Sequence, residues 1–172
     1  KIKSKLILKK KYFNDKKLKL IYAGNIGRFQ DLKDIIKSIS EISIKSKVEM
    51  IIMGNGTEKI NLINFVKKKD LGIKFLDYQS PKIAKMIISQ ADLGVVTLTK
   101  NMYSFAYPSK VMTYLQQGIP MICTIEKNSE IVTDMLSMKY GFWTPRGNTK
   151  KFAQLIDKLL SKKSWKSKMK KN

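Results

Sequence analysis

Two short segments of this 172-residue sequence combine residue types that hold anions. In Gly24-Asn25-Ile26-Gly27-Arg28, the two glycines let backbone N–H groups approach a bound group closely, and Arg28 adds a planar cation. In Tyr107-Pro108-Ser109-Lys110, Pro108 is preset for a first helical turn and Ser109 offers a hydroxyl. Lys110 then brings a cation to a helix terminus whose N–H groups already favour phosphate. A first-turn lysine is otherwise opposed by the helix dipole, which favours a ligand role. Each segment also has a plainer reading: a tight strand-to-helix turn for the first, and a helix start with an outward lysine for the second. Gly24 and Gly27 supply only two of the three glycines of a dinucleotide fingerprint, and no acidic residue ends the next apolar run, where a ribose partner would stand.

Other chemistries are narrowed by what the chain contains. It has no histidine, the commonest general base. Cys123 is the single cysteine and lies in an apolar run, which leaves no disulfide framework or cysteine-rich metal site and fits a reducing cytoplasm. The formal charge of +22 is concentrated at the ends: Lys1–Leu20 carries nine lysines against Asp15, and Lys158–Asn172 carries seven lysines and no acid. Arg28 and Arg146 are the only arginines, so the basicity lacks the guanidinium forks that grip phosphate and reads first as solvated lysine runs. The same runs would be attracted to an anionic membrane surface by about 1 kcal/mol per lysine. No apolar stretch approaches the roughly 18 residues that span a bilayer, and the lysine-rich start lacks the apolar block of a secretory signal. The expectation is a cytoplasmic chain, soluble or peripheral on the inner face of a membrane.

The elements that must position these segments follow from periodicity. Apolar runs predict strands at Leu18–Ala23, Val48–Met53, Ile73–Leu76, Leu93–Leu98 and Pro120–Ile125, with a short extended segment at Gly141–Thr144. Between them, helices are predicted over Asp31–Ile44, Thr57–Lys69 with Ile60, Ile63 and Val66 buried, Pro81–Ala91, Pro108–Gln117, Ser129–Met138 and Thr149–Ser161. Regular strand-helix alternation predicts an α/β fold, a doubly wound parallel sheet of Rossmann-like type. The expected domain covers residues 18–162, with a basic N-terminal extension over 1–17 and a basic tail over 163–172. Ligands of such sheets bind beyond the carboxyl ends of the strands, which directs attention to loops 24–30, 54–56, 77–80 and 99–107.

The order of motifs resembles a known family. Tyr-Ala-Gly-Asn-Ile-Gly-Arg after the first strand, Ile-Met-Gly-Asn-Gly after the second, Pro-Ser-Lys followed by Tyr-Leu and Gly-Ile-Pro, then Glu130-Ile131-Val132 and Gly141, is similar to the C-terminal, donor-binding domain of family 4 glycosyltransferases of GT-B fold. Within that family the likeness is to bacterial enzymes of capsule, O-antigen (lipopolysaccharide) and related surface-glycan assembly, and it runs from about Leu18 to Leu160. The resemblance implies that Gly24, Asn25 and Gly27 lie against the donor diphosphate or the acceptor side of a cleft, with Arg28 or Gln30 as the polar group of that loop. It implies that Gly54 and Gly56 line the pocket beneath a nucleotide, that Tyr78 stacks on the base, and that Pro108, Ser109 and Lys110 hold the diphosphate. Two glutamates that many members carry eight residues apart fall here at Phe105 and Thr113, of which Thr113 can still bond a ribose hydroxyl.

The implied substrate is a nucleotide-diphosphate sugar, with a UDP-sugar favoured and with neither cofactor nor metal required. The implied reaction is retaining glycosyl transfer to a glycan or lipid-linked acceptor in surface-polysaccharide biosynthesis, with Arg28 and Lys110 stabilising the leaving group. A facing N-terminal domain would bind the acceptor, so this chain alone is expected to be inactive. Competing readings are a nucleotide-sugar epimerase, whose acid/base carboxylates are not evident, a non-catalytic nucleotide-sugar-binding module, and a basic nucleic-acid-binding domain. The last is not expected, because the lysines gather at the two ends and form no stripe interleaved with aromatics.

Overall fold

The structure is a computed structural model that describes residues 11–67, 69–102, 108–162 and 164–169. Its strands are β1 (Leu18–Ala23), β2 (Val48–Met53), β3 (Ile73–Leu76), β4 (Leu93–Thr97), β5 (Met121–Thr124) and β6 (Gly141–Trp143). The helices are α1 (Leu32–Ser40), α2 (Lys59–Lys67), α3 (Pro81–Ile88), α4 (Ser109–Gln116), α5 (Glu130–Ser137), α6 (Thr149–Ser161) and α7 (Trp165–Met169). The sheet runs β3-β2-β1-β4-β5-β6, and every pairing is parallel. This is the doubly wound order, in which the connections reverse direction between β1 and β4.

Alternation within the strands divides the core into two layers. Leu20, Tyr22, Met50 and Ile52 point to one face, where Ile35, Ile36 and Ile39 of α1 and Phe152 and Ile156 of α6 cover them. Ile21, Ile51 and Met53 point to the other, under Ile87 and Ile88 of α3, Val111 and Tyr114 of α4 and Ile131 of α5. A strand buried on both faces needs apolar residues throughout, which is why Val48–Met53 reads as a nearly continuous apolar run. Glu49 is the exception in that run. Burial pushes its carboxyl pKa up, but the ammonium of Lys74 and the Asn14 N–H at 2.7 Å outweigh that and hold it below the usual range.

Three expectations are corrected. The helix predicted over Thr57–Lys69 begins at Lys59, and it buries Leu62 and Val66 while Ile60 is 72% exposed and Ile63 37% exposed. The Lys59 ammonium donates to the Gly54 carbonyl at 2.9 Å, Asn55 Oδ1 at 2.8 Å and Asp77 Oδ1 at 2.6 Å, and this anchor turns the stripe of residues 59, 62 and 66 toward the sheet. The first helix begins at Leu32, because Asp31 adopts φ 49°, outside the helical region, and it ends at Ser40 and not at Ile44. Third, the packed body reaches past 18–162: Phe13 is buried in one core layer, and Trp165 of α7 in the other. The Trp165 indole N–H donates to the Leu159 carbonyl at 3.0 Å, its ring meets Phe142 edge-on at 5.9 Å, and Lys166 pairs with Asp92 at 2.8 Å.

Candidate functional site

The carboxyl ends of the strands are extended by a backbone zipper between loops. Gly24 N–H donates to the Met53 carbonyl at 2.9 Å, Ile26 N–H to the Asn55 carbonyl at 2.9 Å, and Gly54 N–H to the Leu76 carbonyl at 3.0 Å. Only a residue without Cβ allows this spacing at position 54: a Cβ there would stand 1.9 Å from the Gly24 carbonyl oxygen, and φ is 144°. Lys59 reinforces the zipper from below by tying the ends of β2 and β3 together.

Above this floor lies a cleft of about 880 Å³. Gly24, Asn25 and Gln30 line it from the loop after β1, Gly54 and Asn55 from the loop after β2, and Tyr78 and Gln79 from the loop after β3. Pro108, Ser109, Lys110 and Thr113 close the opposite side from the start of α4. Eight of the eleven sequence-predicted binding residues therefore converge: Gly24, Asn25, Gly54, Tyr78, Pro108, Ser109, Lys110 and Thr113.

Lys110 dominates the electrostatics. Its ammonium reaches Gln30 Oε1 at 3.4 Å and stands 5.2 Å over the Tyr22 ring, and among the described residues it pairs with no carboxylate. Burial pushes its pKa down to about 8. The Tyr22 hydroxyl donates to the Asn25 carbonyl at 2.5 Å and has Gln30 Oε1 at 3.0 Å, which fixes the amide oxygen that Lys110 approaches. No side chain caps α4 at Pro108, so the helix presents its N-terminal dipole to the same space. A cation without a counter-ion beside an uncapped helix start is an arrangement that an anionic ligand completes.

The remaining predictions divide. Tyr78 is 72% exposed at the rim, open to stacking. Thr113 faces the cleft but its hydroxyl donates to the Ser109 carbonyl at 3.2 Å. Gly27 and Arg28 line a neighbouring groove with Glu58 and Phe65, and Gly56 packs against the Ile26 carbonyl. The Arg28 side chain is 82% exposed and its Nε lies 3.7 Å from Glu58 Oε1, so it is turned away from the cleft that the sequence reading assigned to it. Phe105 and Tyr107 lie outside the described residues. Lys59 carries no signal in the sequence, where it is one lysine among many, and Tyr22 and Tyr114 stand inside the Tyr-Ala-Gly and Tyr-Leu motifs without a site role of their own. The i, i+4 spacing of Tyr114 from Lys110 is the signal that marks it.

A family model for glycosyl transferases group 1 matches residues 4–172. A probable glycosyltransferase, WbjE of Pseudomonas aeruginosa, is 24% identical over 143 residues, which is 80% of this chain and 34% of that protein. WaaG, described as a glycosyltransferase involved in lipopolysaccharide biosynthesis, superposes with a TM-score of 0.78 at 10% identity, covering 97% of this chain and 44% of its own. Anabaena Alr3699/HepE in complex with UDP-glucose superposes with a TM-score of 0.74 at 13% identity, covering 99% of this chain and 45% of its own. The chain thus spans about a third of the length of the curated relative and less than half of these two structures. Since the family model takes in nearly the whole sequence, the chain belongs to the glycosyl transferases group 1 family.

Proposed function

We propose that the chain is the donor-binding domain of a glycosyltransferase, holding a nucleotide-diphosphate sugar in the cleft between the β1–β3 loops and α4. The observation that carries this reading is Lys110, a largely buried ammonium with no carboxylate partner among the described residues, at the uncapped start of a helix. A UDP-sugar is the favoured donor, because the HepE structures contain UDP-glucose or UDP. As the glycosidic bond to the leaving diphosphate breaks, negative charge grows on phosphate oxygens, and Lys110 with the α4 dipole would stabilise it. On this reading the charge compensation comes from Lys110 and the α4 dipole, with no metal required.

The whole protein would transfer the sugar with retention to a glycan or lipid-linked acceptor in surface-polysaccharide assembly, the setting suggested by WaaG. The acceptor would be bound by another part of that longer protein, consistent with the 34% of WbjE that this chain covers. Work at the cytoplasmic face of a membrane fits the lysine-rich ends, with attraction of about 1 kcal/mol per lysine near anionic headgroups.

A thermal-shift titration tests the donor reading. UDP at millimolar concentration raises the melting temperature of this chain, because a ligand that binds only the native state stabilises it. Lys110→Ala loses most of that shift without a lower unliganded melt, since the buried ammonium costs the unliganded fold stability at neutral pH. An unliganded melt that collapses in Lys110→Ala would make the lysine structural, and a wild-type chain indifferent to UDP would remove the donor reading.

A further inference from the structure

β1 and β4 are in register only at Leu20 with Leu93 and Ile21 with Gly94, whereas β1 follows β2 along its whole length from Leu18 to Ala23. Beyond Ile21 the space between the two parting strands is occupied by the side chain of Tyr114. Its hydroxyl accepts the Ala23 N–H at 3.0 Å and lies 3.3 Å from the Ile21 carbonyl and 3.5 Å from the Val95 carbonyl. One phenol therefore meets backbone groups of both strands where the ladder has run out. The ring fits because position 94 has no Cβ, which would stand 2.4 Å from it. Tyr114 is fully buried, and burial pushes its pKa upward, so the hydroxyl stays neutral and able both to donate and to accept.

Tyr114 lies one turn along α4 from Lys110, on the same helical face. The Lys110 stem passes Gly24, its Cε 3.5 Å from where a Cβ would be, and the ammonium then reaches Gln30 and the Tyr22 ring. The Tyr114 hydroxyl is thus bonded to Ala23, the immediate neighbour of the glycine against which Lys110 packs. Filling the core at this position requires only the ring. The hydroxyl adds a fixed link from α4 to the end of β1.

We propose that Tyr114 is a positioning residue for the diphosphate-binding cation: its hydroxyl locks α4 to Ala23 where β1 and β4 part, and so sets where Lys110 presents its ammonium in the cleft. The proposal rests on the donor-domain reading above. A double-mutant cycle on UDP affinity tests it, using Tyr114→Phe, Lys110→Ala and the pair. Tyr114→Phe keeps the ring against Gly94 and weakens UDP about tenfold in the wild-type background, but by less than about twofold once Lys110 is alanine, the non-additivity expected of residues acting as a unit. Val111→Ala, a cut into the buried face of the same helix, lowers the melting temperature at least as much and leaves UDP affinity within about twofold. A readout independent of how any Tyr114 variant folds is hydrogen exchange of the Ala23 amide, which slows on UDP addition in wild type and does not in Lys110→Ala. Equal losses from Tyr114→Phe in both backgrounds, or a Val111→Ala effect on UDP as large as that of Tyr114→Phe, overturns the proposal. Absence of any UDP binding by the wild-type chain overturns the donor-domain reading, and the proposal with it.

Discussion

At the scale of single residues, the site separates two cations that look equivalent in the sequence. Lys110 is largely buried and without an acidic partner among the described residues, whereas Arg28 is mostly in water and 3.7 Å from Glu58. Exposed ion pairs of that kind contribute only about 0.2–1 kcal/mol. Arg28→Ala is therefore expected to change UDP affinity by less than about twofold, a difference measurable by calorimetry; a loss of tenfold or more would return Arg28 to the site. Lys110 also carries a pH signature. Its pKa in the folded chain is lowered by burial from 10.5 to about 8, so between those values the unfolded chain holds a proton that the unliganded fold has released. The stability of the unliganded fold consequently rises with pH through that window. Affinity for an anion runs the other way, because bound phosphate favours the ammonium, and it falls as pH rises through about 8.

At the scale of elements, the strands were legible because a strand covered on both faces must be apolar throughout, as in Val48–Met53 and Leu93–Thr97. The start of α4 was legible to within one residue: Pro108, expected in the first turn, is instead the N-cap with extended backbone at ψ 112°, and Ser109 opens the helix. The rotation of α2 was not legible. Ile60, Ile63 and Val66 make as good an apolar face as Leu62 and Val66, and the choice is made by a polar contact, the Lys59 ammonium among loop carbonyls and Asp77. The outward turn of Arg28 was hidden for a similar reason, since Glu58 lies thirty residues away in sequence and meets it only through the loop zipper. Lys59→Met should expose how much the zipper depends on this anchor. Leaving the Gly54 carbonyl and Asp77 without their donor is expected to cost about 1–3 kcal/mol in urea unfolding, and to weaken UDP binding through the displaced Asn55 and Tyr78 loops. An unchanged midpoint and affinity would show the Lys59 contacts to be incidental.

At the scale of the whole molecule, strand-helix alternation pointed to the loops at the carboxyl ends of the strands, and the sheet order then placed the cleft at the crossover between β1 and β4, which the alternation did not specify. Nor did it specify the extent of the packed body. Trp165 stands among lysines, and composition reads that stretch as solvated tail, yet the indole is buried against Phe142 and hydrogen-bonded to Leu159. Trp165→Ala is expected to destabilise the chain by about 3–5 kcal/mol in denaturant unfolding, as for other large aromatics cut from a core; a loss below about 1 kcal/mol would mean that α7 is only loosely held. Under the donor-binding proposal, Lys110 meets the diphosphate. Calorimetry of UDP binding at about pH 8.5, in two buffers with different heats of ionisation, tests it most directly. It predicts net proton uptake on binding by the wild-type chain, because the anion restores the ammonium, and none in whatever binding Lys110→Ala retains. Binding with no proton uptake in wild type, or uptake unchanged by Lys110→Ala, would contradict it.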